Sequence, residues 1–211
     1  MERRELLKMI ALATGGALVG GELFFSGCKS TGGPVTFTPE TIAFLDEVAE
    51  TIIPATSTPG AKAAQVGEFM KVYVTDCYDA DDQKAFLEGV NKLDEACNKM
   101  HGHDYLKATP EHRKELLVSL DKEAKTVQDQ RKKAYDDFVK AERAKGNILP
   151  IMDFKNPVAS HYFTLMKQLT LLGFFTSKTG ATETLRHIQV PGKYDGALPY
   201  KKGDKAWADS I

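Results

Sequence analysis

From residue 36 onward, apolar residues recur every three or four positions, and no sustained two-residue alternation appears. The pattern predicts helices. Thr38-Pro39-Glu40 supplies an N-cap and a proline suited to the first helical position. The stripe Ile42, Leu45, Val48/Ala49, Ile52 follows and stops before Pro54. Residues 54–61, PATSTPGA, read as a breaker-rich loop. A second helix is predicted over about 63–78, with Val66, Phe69/Met70, Tyr73/Val74 and Cys77 on one face. A third runs over about 81–100 through Phe86, Val90, Leu93 and Cys97. Thr109-Pro110-Glu111 repeats the cap signal and opens a long, charge-rich helix. Its stripe is Leu117, Leu120, Ala124, Val127, then Tyr135 and Phe138, and it ends near Gly146-Asn147. So polar is its middle, Lys122 to Lys133, that one face must lie in water. Asn156-Pro157 starts the most apolar segment, VASHYFTLMKQLTLLGFF, apolar on more than one side as a central helix should be. A short helix is expected around residues 181–187, before a tail rich in Gly, Pro and aromatics. The expected fold is all-α: an irregular single-domain bundle of five to six helices over residues 37–211, with an irregular C-terminal segment.

The first 28 residues follow other rules. A basic start, an apolar run from Met9 to Phe25 and then small residues make the layout of an export signal. Four glycines and Glu22 leave that run weakly hydrophobic for a membrane span. Arg3-Arg4-Glu5-Leu6-Leu7-Lys8 resembles the twin-arginine pattern R-R-x-F-L-K, with Leu6 for the usual Phe. The residues that carry this likeness are Arg3, Arg4, Leu7 and Lys8. Phe25-Ser26-Gly27-Cys28 resembles a lipoprotein processing box, although Phe25 departs from the usual Leu. On this reading residues 1–27 are cleaved, Cys28 carries the acyl chains, and residues 28–36 form a flexible tether. Several acyl chains anchor durably where one is marginal. An ordinary secretory signal with an unmodified cysteine is the plainer alternative.

Composition narrows the function. Of 211 residues, 42% are hydrophobic, which allows one domain with a real core. Lys and Arg number 28 against 29 Asp and Glu, a balance that recruits no nucleic acid by bulk charge. No Gly-rich phosphate loop, C-x-x-C-H, H-E-x-x-H or G-x-S-x-G motif occurs. Neither catalytic nor metal residues, and no cofactor site, are expected in this chain. His101 and His103 are the one close histidine pair, without a third ligand at suitable spacing, and read as a solvated loop. Asp76, Asp79, Asp81 and Asp82 lack the glycine and terminal Glu of a calcium loop; Asp82 suits a helix's first turn. His161 reads as a core histidine. Cys77 and Cys97 could pair in an oxidising compartment. In a plain hairpin, however, Cys77 would lie about one turn from the bend and Cys97 roughly 24 Å beyond it, so a bridge needs an arrangement that is not a plain hairpin.

Three segments taken together resemble the gluconate 2-dehydrogenase subunit 3 family. They are FTPETIAFLDEVAETIIPATSTPGAKAAQVGEFM, RKELLVSLDKEA, and YFTLMKQLTLLGFFTSKTGATETLRHIQVPGKYDGALPY. The likeness covers about residues 37–200; where the family often has Asp before the TIIP element, this chain has Glu50. The resemblance implies a non-catalytic small subunit. Its partner would be a large subunit of the glucose-methanol-choline (GMC) type that holds FAD and oxidises a sugar, sugar acid or polyol. A cytochrome c subunit, carrying haem c, often accepts the electrons. A partner that binds FAD in the cytoplasm must cross the membrane folded, and a twin-arginine signal on this chain would carry it. The expected location is the periplasmic side of a bacterial membrane, lipid-anchored.

Two other readings stay open: a free-standing envelope lipoprotein that binds a small ligand or another envelope protein, and a metal-dependent enzyme using His101 and His103. For the small-subunit reading, the expected partner interface combines LLGFFTS with the tail: Phe174, Phe175, Tyr194, Tyr200 and Trp207. Aromatics there could equally fold back on the domain.

Overall fold

Thr38 caps the first helix, α1 (Pro39–Ile52), by accepting the Thr41 N–H, with Pro39 at its first position. A computed structural model of the chain describes residues 36–147 and 154–188, and in the tail 190, 192, 196–199 and 201–208. The signal residues Arg3, Arg4, Leu7 and Lys8, the lipidation candidate Cys28, and Tyr194 and Tyr200 lie outside the described residues. The remaining helices are α2 (Val66–Cys77), α3 (Ala80–His101), α4 (Pro110–Ala144) and α5 (Tyr162–Thr176). Short 3₁₀ turns span Ala61–Ala64 and Tyr105–Lys107, and a π-helical turn spans Gly180–Thr184. Among the described residues there is no strand, only an isolated bridge between Arg186 and Trp207. The fold is all-α, as the periodicity predicts. Pro34–Ile211 constitutes one compact unit.

At the centre lies α5, which packs against each of the other four helices. Its buried residues, Phe163, Leu165, Met166, Leu169, Thr170, Gly173 and Phe174, cover several sides, as its all-round apolar sequence requires. Gly173 lets α2 approach: a Cβ there would sit 2.5 Å from Phe69 Cδ1. Each surrounding helix contributes one stripe, such as Phe44, Leu45, Val48 and Ala49 from α1, or Phe86, Val90, Leu93 and Cys97 from α3.

The start of α5 differs from the expected one. Asn156 does not cap a helix; its Oδ1 accepts the Val158 N–H, and the chain stays irregular to residue 161. The cap is His161, whose Nδ1 accepts the Phe163 N–H at 3.2 Å. His161 is therefore a helix-terminus acceptor and not a residue inside the helix. The short helix expected over 181–187 is instead the π turn, which ends at Thr184.

Helix α4 has 35 residues and so spans about 52 Å. Only its first half is buried, through Leu116, Leu117, Leu120 and Ala124. Beyond that, Tyr135 and Phe138 pack on Phe154 at ring separations of 5.3 and 4.8 Å. Arg131 donates to the Val158 carbonyl, and Asn156 donates back to the Arg131 carbonyl. These contacts tie the outer half of α4 to residues 154–158.

Candidate functional site

Where α1 meets the start of α4, the chain gathers its charges inward. Arg113 donates to Glu47 Oε2 at 2.8 Å, to the Tyr105 carbonyl at 3.0 Å and to the Leu106 carbonyl at 2.7 Å. Lys62 bonds the other oxygen of Glu47. That bond holds the Glu47 carboxyl below its ordinary range, against the opposing effect of partial burial and with further help from Arg113. Tyr105 is fully buried, and burial pushes its pKa up to about 12 while its hydroxyl donates to Thr51 Oγ1. Glu50 organises the adjoining loop: its two oxygens accept the Ala55 and Lys62 N–H groups, both at 2.8 Å. A Cβ on Gly60 would lie 2.3 Å from the same carboxylate, so this turn of the TPGA stretch needs glycine. The sequence does not announce Glu47, Tyr105 or Arg113, because their partners are far apart in the chain. These bonds tie α1, the loop after it and the start of α4 together, so the region organises structure.

A second region shows the reverse. Of the eleven exposed large hydrophobic residues among those described, seven lie at or beyond residue 171: Leu171, Leu172, Phe175, Ile188, Val190, Leu198 and Trp207. Leu171, Leu172 and Phe175 share one side of α5, at spacings of three and four residues. Phe174 corrects the sequence reading: it is completely buried and belongs to the core, whereas Phe175 is 39% exposed. The helix is apolar all round, so its sequence could not tell the two aromatics apart. The tail folds back on the domain. The Arg186 N–H donates to the Ala206 carbonyl, and the Ala208 N–H to the Arg186 carbonyl, each at 2.8 Å. The Arg186 guanidinium lies 4.8 Å from the centre of the Trp207 ring. Trp207 is thus fixed in place yet still 40% exposed. Exposed aromatic and aliphatic side chains of this kind make the surface type that buries well against a partner.

A cleft of about 970 Å³ opens between the start of α3, Arg131 of α4 and residues 154–162. Its walls carry both signs of charge, including Asp82, Glu88, Lys84, Lys92 and Arg131, beside Tyr162. Within it, burial lowers the pKa of His161 and pushes that of Tyr162 up to about 12. Two members of the acidic cluster have helix roles: Asp79 caps α3 by accepting the Asp82 N–H, and Asp82 lies in the first turn. Asp81 pairs with Lys155 at 2.8 Å.

The cysteines are not bridged: Cys77 is exposed and Cys97 buried. Burial pushes the Cys97 thiol up, which suits a residue packed in the core. His101 and His103 do not form a solvated loop. Both are half-buried, and the chain brings His112 to them. The His101 and His112 rings stack 4.2 Å apart and 5° from parallel, and His103 Nε2 lies 3.3 Å from His112 Nδ1. Sequence reasoning missed His112 because a 3₁₀ turn and a helix start separate it from the pair. Among the described residues, no group of three or more His, Cys, Asp or Glu side chains is placed to hold a metal ion. No described helix is long and apolar enough to cross a membrane.

No curated protein and no solved structure matches the chain significantly. A family model, gluconate 2-dehydrogenase subunit 3, matches residues 39–192. That span opens on the first residue of α1 and takes in all five helices and the loop that Glu50 organises. The chain belongs to the gluconate 2-dehydrogenase subunit 3 family.

Proposed function

We propose that this chain is the non-catalytic small subunit of an exported, flavin-dependent dehydrogenase complex, and that it escorts and tethers the FAD-bearing subunit. The family is named for a subunit of a dehydrogenase complex, and membership in it carries the reading. The exposed apolar face of α5 and the pinned tail supports it, because a subunit needs a surface that only its partner covers. The partner would be a large subunit of the glucose-methanol-choline type, with a cytochrome c as a further electron acceptor. The paired arginines and Cys28 support export by the twin-arginine route and a lipid anchor on the periplasmic side of a bacterial membrane.

Co-purification from membranes in mild detergent tests the proposal. The expected result is a complex that shows flavin absorbance, and a lone monomer without flavin overturns it. Mass spectrometry of the mature N-terminus tests the anchor separately: an acylated Cys28 is expected, and an unmodified peptide spanning Gly27 and Cys28 removes it.

A free-standing envelope lipoprotein is the second reading, in which the cleft beside Tyr162 would be the ligand site. Binding sites for small molecules are mostly apolar with a few convergent polar groups, whereas this cleft is lined by many charges. The apolar face would also stay uncovered in such a protein. Both points favour the subunit.

A further inference from the structure

We propose that the turn Lys201–Asp204 and the Trp207 ring form one docking element, whose counterpart on the flavin-bearing subunit is an apolar pocket with an acidic rim. The inference rests on the small-subunit reading above and adds the chemistry of the surface that receives the tail.

Trp207 is the single tryptophan of the chain, and Arg186 holds it from several directions. The two backbone bonds between Arg186 and the tail go to Ala206 and Ala208, the residues on either side of Trp207. The Arg186 guanidinium meets the indole ring and lies 3.8 Å from Asp204 Oδ2. Lys205 donates to the Glu183 carbonyl. The ring is therefore in place before any partner arrives, and a preset side chain loses little freedom when it is covered.

The turn is equally well built. The Asp204 N–H donates to the Lys201 carbonyl, and Asp204 Oδ2 accepts the Lys201 N–H, each at 3.0 Å. Gly203, the third residue of the turn, has φ 97°, a left-handed conformation that suits glycine. Lys201 and Lys202 are both exposed, and neither is in an ion pair among the described residues. Asp204 is committed to Arg186 and to the Lys201 backbone. Residues 196–208 hold three lysines and one aspartate, whereas the whole chain has 28 Lys and Arg against 29 Asp and Glu. In the facing segment 180–188, Glu183 is the one acidic residue, beside Arg186 and His187. The element is thus an apolar ring with an excess of positive charge around it.

An acidic protein surface fits this better than anionic lipid. A few lysines hold a protein only weakly on a bilayer, through a field that salt screens. A fixed indole beside a turn of fixed shape is instead what a partner pocket selects.

The complex, extracted from membranes in mild detergent through a tag on this chain, is washed with rising NaCl, and the retained flavin is read by absorbance. Retention should fall at least about fivefold between about 0.05 M and about 0.5 M NaCl, because exposed charges are screened. Lys201→Glu combined with Lys202→Glu should lower retention at low salt at least about tenfold and flatten its salt dependence. Trp207→Ala should lower retention at every salt concentration. If Trp207→Ala loosens the tail, the double lysine variant, on an exposed turn, still decides the matter. Equal retention by the parent and the double variant, or retention indifferent to salt, overturns the docking element and leaves the small-subunit reading standing. Unchanged flavin retention with lost binding to phosphatidylglycerol vesicles assigns the turn to lipid and overturns it too. A parent chain that retains no flavin at any salt overturns both.

Discussion

Around Glu47 the chain answers its own charges, whereas around Phe175 it leaves apolar side chains in water. In the first region, Arg113 alone spends three donors on Glu47, Tyr105 and Leu106, and Glu50 closes the loop that follows α1. In the second, three residues on one side of α5 stay exposed, and the tail is pinned to Arg186 by its backbone with Trp207 exposed. The first region specifies the fold from within. The second is finished as structure but unfinished as surface, which is the expected state of a subunit seen without its partner.

The contrast can be broken or sharpened by substitution, read as unfolding free energy in urea. Phe174→Ala should cost most, about 3–5 kcal/mol, because it empties a fully enclosed site. A small loss would move Phe174 to the partner side of the comparison. Arg113→Ala should cost about 2 kcal/mol by stranding a carboxylate and two carbonyls. A neutral result would mean that the inward network is decorative.

Glu47→Gln gives a smaller and pH-dependent loss. The folded-state pKa of Glu47 lies below its ordinary 4.5, so its stabilisation is full above that value and fades as the pH falls through the folded one. The difference between the two chains should be about 1 kcal/mol near neutral pH and should vanish in acid. Neighbouring Asp46 shifts the opposite way, chiefly through burial, and Glu47 is only a minor contributor to that shift. A difference that grows in acid would refute the assignment.

Phe175→Asp should change stability least, within about 0.5 kcal/mol, since the residue is already exposed. In a pull-down of the proposed flavin-bearing partner, however, it should weaken capture at least about tenfold. If it unfolds the chain instead, the exposed face is core and the comparison collapses.

The helices were legible because their signals are local. Thr38-Pro39-Glu40 and Thr109-Pro110-Glu111 place the starts of α1 and α4 correctly, and the glycine at 102 marks the end of α3. The start of α5 was not legible, because Asn156-Pro157 offers the same kind of signal and Asn156 uses its side chain for a turn onto Val158. The acceptor that does cap the helix is a histidine, outside the usual set of capping residues. Phe174 and Phe175 could not be sorted, since a helix buried on several sides has no single stripe to read. The meeting of His112 with His101 and His103, and that of Glu47 with Arg113, depend on how α3 and α4 turn in space. No spacing along the chain encodes either.

Helix α4 has one further consequence. Its inner half shares the central core, while the contacts of its outer half among the described residues are with Phe154 and the short segment around Asn156. One continuous helix therefore has two thermal lives. Amide hydrogens near Leu117 and Leu120 should exchange only when the whole domain opens, and those beyond Arg131 should exchange through a local fraying that leaves the rest intact. The outer half can loosen, be cut or be rebuilt at little cost to the domain that carries it.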